Sequence, residues 1–135
     1  MDIDADGMIV GRLAAFCAKQ ALKGENVNVF NIESSVFSAT NSKVLFTKYL
    51  KRRGIQNKAD PEKSAKWPRR PDFLFKKIVS GMLPDGKRGK EALNRIKVFL
   101  AKGGVKPGLK NADSIKVKAI TLKELCEKLG WSGHE

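Results

Sequence analysis

The spacing of apolar residues changes several times along the chain, and each change marks an element. Between residues 1 and 6, Ile3 and Ala5 alternate with Asp2, Asp4 and Asp6, the two-residue period of a short strand. Gly7 then turns the chain. From Val10 to Lys23 the apolar positions Val10, Leu13, Ala14, Cys17, Ala18, Ala21 and Leu22 recur at helical spacing, with Arg12, Lys19, Gln20 and Lys23 mostly on other faces. Gly24 stands where a glycine closes such a helix. The run NVNVFNI that follows, with Val27, Val29, Phe30 and Ile32, is nearly continuous in apolar character and predicts a strand buried on both faces. Strand, helix and strand in this order form a βαβ unit, which implies a right-handed crossover and a parallel sheet.

Residues 34–39 (SSVFSA) predict a third short strand. Thr40 or Asn41 can cap a helix from about Ser42 to Arg53, with Leu45, Phe46, Tyr49 and Leu50 on its buried side. Residues 55–67 are polar, contain Pro61 and have no period. They form a long loop, and its charge, Trp67 and the Pro-Arg-Arg-Pro sequence point to an element ordered by its ligand. Pro71 suits the first position of the next helix, with Asp72 in its first turn. Phe75, Ile78, Val79 and Met82 would face the core until Pro84 stops the helix. Helix resumes over Lys90–Arg95 and leads into a fourth strand within Ile96–Ala101. Gly103, Gly104, Pro107 and Gly108 make a surface loop, and residues 115–120 alternate apolar with basic side chains. Thr121 and Glu124 form a capping box for a last helix through Leu122, Leu125, Cys126 and Leu129 to Gly130.

Charge changes this picture from a fold to a function. The chain has 135 residues, enough for one domain with a real core, and carries a net charge of +13. Residues 1–47 hold 4 basic and 5 acidic side chains, residues 48–90 hold 14 and 4, and residues 91–135 hold 9 and 5. A solvated surface intersperses both signs. Charge gathered in the middle third is instead the footprint of a polyanion partner. Lys48, Lys51, Arg52 and Arg53 close the second helix. Lys66, Arg69, Arg70, Lys76 and Lys77 lie on the following loop and helix, and Lys87, Arg88 and Lys90 on the next turn. Arginine suits bidentate phosphate contact and lysine supplies point charge. Trp67 offers a ring for an unpaired base, or for packing on its own protein. Cations in the last turn of the second helix also complement its dipole, but that turn holds more of them than capping needs.

Catalytic readings fare worse. Cys17 and Cys126 have no metal-ligand spacing, and Cys17, within an apolar helical stretch, suits a buried thiol in a reducing compartment. The sole histidine, His134, has no partner in the sequence. No run approaches membrane length, and the acidic start is unlike a signal peptide. The opening strand, Gly7 and helix outline a dinucleotide fold, with Glu33 ending the second strand, but GMIVG lacks the middle glycine of G-x-G-x-x-G. Residues 81–88 (GMLPDGKR) match G-x-x-x-x-G-K, yet Arg88 replaces the magnesium-binding Ser or Thr and a helix, not a strand, precedes them. No enzyme, cofactor or metal is expected. The runner-up classes are a small nucleotide-binding enzyme using Gly81 to Lys87 and a free RNA-binding regulator.

The stretch FLFKKIVSGMLPDGKRGKEALNRIKVF closely resembles the signature of the large-subunit ribosomal protein L-thirteen family, archaeal and eukaryotic branch. That family shows V-R-G-M-L-P followed by K-x-x-R-G-x-x-A-L-x-R-L-K-V. DADGMIVGRLAAFCAKQALKGENVNVFNIE is similar to its opening, KYLKRR and RRPD fall between in order, and KELCEKLGW resembles its last helix. The resemblance covers nearly the whole chain. It implies a three-layer α/β/α domain with a small, mostly parallel four-stranded sheet, structural rather than catalytic. Its partners would be large-subunit rRNA and neighbouring ribosomal proteins in the cytoplasm, with no membrane and no small-molecule substrate. By motif position, Arg12, Lys48, Tyr49, Arg52, Arg53, Arg69, Arg70, Lys76, Lys77 and the run from Gly81 to Pro84 with Lys87, Arg88 and Gly89 inherit the family pattern. Ser80 stands where the family has arginine, Ala39 where it has glycine, and DPEKSAKWP replaces an N-P-x-R-G-P-rich segment. The end at Glu135, without the long basic helix of many eukaryotic members, suggests an archaeal or reduced eukaryotic version.

Overall fold

The computed structural model describes residues 1–100 and 118–133. The glycine-rich loop expected at 103–108, the first half (115–117) of the 115–120 alternation and His134 lie outside the described residues. In chain order the elements are β1 (Asp2–Asp4), α1 (Val10–Leu22), β2 (Val27–Phe30), β3 (Val36–Ser38), α2 (Ser42–Arg53), α3 (Pro71–Ser80), α4 (Lys87–Asn94), β4 (Ile96–Val98), β5 (Ala119–Thr121) and α5 (Leu122–Lys128). Short 3₁₀ turns occupy Ile32–Ser34 and Pro61–Lys63.

β1, β2 and β4 form a parallel sheet in the order β1-β2-β4, with Ile3 opposite Val29 and Val27 opposite Ile96. The α/β class is as expected, but the strands are shared differently from one four-stranded sheet. Among the described residues there are three parallel strands, and a separate antiparallel pair in which Val36 of β3 faces Thr121 of β5. β3 reaches the larger sheet only through a parallel bridge between Val36 and Ile9, where the Val36 amide donates to the Met8 carbonyl at 2.8 Å. Three-residue strands offer too short a ladder to hold a long register, so turn geometry rather than side-chain pattern decides which edge β3 takes.

The sheet is wound in one direction, and right-handed crossovers then put the connecting helices on one face. Ile3, Val27, Val29 and Ile96 point into a core shared with Val10, Leu13, Cys17, Leu74, Phe75, Val79 and Ala92. α1 packs against both α3 and α4. Each fully buried Leu or Phe in this core contributes about 1.5–3 kcal/mol. The other face corrects the expectation that β2 is buried on both sides. Asn28 and Phe30 are only half-buried, Asn28 Nδ2 donates to Asp2 Oδ1 at 2.7 Å, and Phe30 stacks on the exposed Phe99 with centroids 4.9 Å apart.

Local signals set the helix ends. α1 closes as a Schellman motif at Gly24 (φ 99°): the Gly24 amide donates to Ala21 O and the Glu25 amide to Gln20 O. α5 repeats the device at Gly130 (φ 100°), with Trp131 donating to Cys126 O. Thr121 Oγ1 accepts from the Glu124 amide, and Asn41 Oδ1 accepts from the Lys43 amide at the start of α2.

Three expectations fail in the basic region. α3 ends at Ser80 and not at Pro84, so Met82 lies in a turn beyond the helix and is exposed; Leu74 takes the buried place instead. Leu50 is exposed because Tyr49 is the single buried residue of α2. The next helix begins at Lys87 and not Lys90, which places Lys87, Arg88 and Lys90 on a first helical turn instead of a loop.

Candidate nucleic-acid interface

The side chains that carry the middle-third charge fall into neighbouring groups. The first surrounds Tyr49, which α2 turns inward. Its ring meets Phe37 at 5.8 Å and the edge of Trp67 at 6.1 Å, with an interplanar angle of 79° to Trp67. Arg52, one turn on, lays its guanidinium 5.2 Å from the Tyr49 centroid and 4.9 Å from that of Trp67. Lys77 reaches across from α3 to 5.8 Å from the same indole. Such cation–π contacts are worth about 0.5–1 kcal/mol at exposed sites, and they restrict long side chains to few rotamers. Burial raises the Tyr49 phenol above its ordinary range, opposed by the charge of Arg52 and a hydrogen bond from it. Tyr49 is therefore a neutral phenol whose oxygen accepts from Arg52 and helps fix that cation.

The second group joins the ends of α2 and α5. Arg53 Nη1 donates to the Leu129 carbonyl at 3.4 Å, where the negative end of the α5 dipole favours it. Burial, then the like charge of Arg69, lowers the Arg53 pKa. The Arg69 guanidinium lies beside Gly130, where a Cβ would meet Nη1 in ordinary contact at 3.5 Å. Arg70 is anchored differently, with Nη2 3.0 Å from Asp72 Oδ2 and its plane 5.0 Å above the Phe73 ring.

The third group is the start of α4. Gly86, at φ 104°, precedes it without a side-chain cap, and no acid lies in its first turn. The open amides and positive dipole end of this helix are thus joined by Lys87, Arg88 and Lys90, all exposed. Cations there oppose the dipole, so the turn suits an anion and not the isolated protein. Gly89 makes this turn possible. A Cβ on it would stand 1.8 Å from the Pro84 carbonyl oxygen.

The remaining expected residues are more dispersed. Lys76 is half-buried on α3. Lys48 and Lys51 face outward along α2, beside Lys43, Val44 and Thr47, around an open groove of about 560 Å³. Arg12 is exposed in the first turn of α1, an element apart from those that carry the other cations. Lys66 lies exposed on the 55–67 loop. That loop is held by its own bonds and not only by a ligand: Ser64 Oγ accepts from the Asn57 amide at 3.0 Å and donates to Pro61 O at 2.6 Å. Ser64 and Gln56 carried no signal in the sequence, because a loop without a period gives no face to which a residue can be assigned.

Among the described residues catalytic chemistry has no comparable cluster. Cys17 and Cys126 are free and buried, with both thiols pushed up to about 12, chiefly by burial. Among the described residues no three His, Cys, Asp or Glu side chains could hold a metal ion. No helix there is long and apolar enough to cross a membrane.

The model of the family described as ribosomal protein L13 matches residues 1–103, which include every expected contact residue. The chain belongs to the ribosomal protein L13 family. Similar proteins named large ribosomal subunit protein uL13 bear this out. That of Methanococcus maripaludis is 37% identical over 135 residues, covering 95% of this chain and 96% of its own length. That of Methanopyrus kandleri is 35% identical over 140 residues, covering 96% and 86%. That of Methanococcoides burtonii is 39% identical over 124 residues, covering 91% and 84%. L13 proteins are structural ribosomal proteins, so this chain is not an enzyme and the nucleotide-site reading of Gly81 to Lys87 is set aside. In this L13 chain the GMLPDGKRG run is the turn from α3 into α4.

Proposed function

We propose that this chain is a structural constituent of the large ribosomal subunit. It binds large-subunit rRNA through the C-terminal turn of α2, the 55–70 segment, α3 and the first turn of α4, and so supports subunit assembly. It works in the cytoplasm beside neighbouring ribosomal proteins and needs no cofactor. The observation that carries the reading is the first turn of α4, where Lys87, Arg88 and Lys90 gather on uncapped amides without an acid in that turn. An RNA phosphate relieves that repulsion and satisfies the amides together. Arg52 and Lys77, held over aromatic rings, and the Arg53–Arg69 pair extend the same electrostatic face. The relatives' names place them in the large subunit, which supports rRNA as the polyanion.

Recognition then rests on backbone and shape, with affinity driven by release of counterions. With about six to ten phosphates contacted, affinity falls by about 10³–10⁵ between 50 and 200 mM salt. The paired variant Lys87→Glu with Arg88→Glu tests the site. Both side chains are exposed, so the circular-dichroism spectrum stays that of the parent while incorporation into large subunits drops. Unchanged incorporation, or loss of the folded spectrum, contradicts this assignment.

A further inference from the structure

Beside the cationic face, the 55–67 loop folds over a cavity of about 290 Å³ whose walls include Arg53, Ile55, Gln56, Ser64, Lys66 and Trp67. We propose that this cavity receives a single extrahelical nucleotide of the bound RNA, its base against Trp67 and Ile55 and its phosphate between Arg53 and Lys66. The inference rests on the RNA-binding reading and adds a defined subsite to it.

Four features argue for a nucleotide. The volume lies at the small end of ligand pockets, too small for a duplex segment and suited to one planar ring with its sugar. The wall is preformed: Ser64 ties the loop to itself through Asn57 and Pro61, and Tyr49, Arg52 and Lys77 hold the indole of Trp67 in place. A base therefore enters without first ordering the loop. Gln56 is exposed at the cavity wall, and its amide offers both a donor and an acceptor to a base edge. Finally, Arg53 and Lys66 line the cavity and, among the described residues, no carboxylate does, which favours a group that carries its own negative charge. Unpaired bases stacked on aromatic rings, with cations on the flanking phosphate, are the usual form of RNA recognition outside helices.

Two RNA duplexes provide the test, identical except that 2-aminopurine is paired in one and bulged out in the other. The bulged duplex should bind about tenfold tighter, the scale of one base–aromatic stack, and its fluorescence should fall on binding. Trp67→Leu should abolish the preference, and Gln56→Ala, an exposed change that leaves the fold alone, should reduce it. Equal affinity for both duplexes with unquenched fluorescence overturns the cavity assignment while the RNA reading stands. Failure of either duplex to bind at low salt overturns both. Millimolar AMP binding as tightly as the bulged duplex would give the cavity to free nucleotides and also overturn the proposal.

Discussion

Replacing Gly89 by alanine isolates the geometry on which the α4 turn depends. Alanine is the better helix former, by about 1 kcal/mol, and on propensity alone the change should stabilise. The structure reverses the sign. A Cβ at position 89 would sit 1.8 Å from the Pro84 carbonyl oxygen, 3.0 Å from its carbon and 3.5 Å from its nitrogen. To reach an ordinary 3.4 Å contact the oxygen must retreat by about 1.6 Å, and it belongs to backbone whose φ the proline ring fixes. Overpacking of this kind costs about 1–3 kcal/mol, and a backbone obstacle puts it at the upper end. After the propensity gain, a net loss of about 1–2 kcal/mol remains. Gly11 supplies the control. It lies in α1, is exposed, and a Cβ there would meet nothing within 4 Å, so Gly11→Ala should stabilise by about 0.5–1 kcal/mol. Urea unfolding followed by circular dichroism reads both. With a slope of about 1–3 kcal/mol per molar, the two midpoints should move in opposite directions and separate by roughly 1 M. RNA affinity should fall in Gly89→Ala only, because the displaced turn carries Lys87 and Arg88. If Gly89→Ala is as stable as Gly11→Ala, the close packing of α4 on Pro84 is refuted.

Further outcomes follow from burial. Leu74→Ala should cost about 2–5 kcal/mol, whereas Met82→Ala, at an exposed turn position, should stay within about 0.5 kcal/mol of the parent; equal costs in denaturant titrations would return Met82 to the core. Neither thiol should react with a disulfide reagent in the native protein at pH 8, and both should react after unfolding. Both folded thiols titrate near 12 against 9 for the ordinary group, so their contribution to stability is complete below pH 9 and is lost as pH rises toward 12. A stability curve flat over that interval in the parent but not in a double Cys→Ala variant would contradict the burial.

Long periodic segments were legible in advance. α1 shows its whole buried stripe in the spacing of Val10, Leu13, Ala14, Cys17, Ala18 and Ala21, and Gly24 closes it as expected. Thr121 likewise marks the start of α5 through a cap that depends on one side chain and the next turn. What stayed hidden depends on tertiary placement. Met82 continues the helical period of α3, but the helix ends at Ser80, and period alone cannot say where hydrogen bonding stops. The pairing of β3 with β5 joins strands far apart in sequence, each three residues long. At the candidate interface the charges were readable as a cluster. The Tyr49–Trp67–Arg52 arrangement was not, because Tyr49 looked like one apolar position among four and turned out to be the one that α2 buries.

The central claim is that this chain resides in the large ribosomal subunit by gripping RNA with the face around α2, α3 and the start of α4. Sucrose-gradient sedimentation of cell extract, repeated at rising salt and with the Lys87→Glu, Arg88→Glu variant, tests it most directly. The parent should co-migrate with large subunits, and the variant should be depleted from that fraction. A parent protein found only at the top of the gradient at low salt would contradict the account.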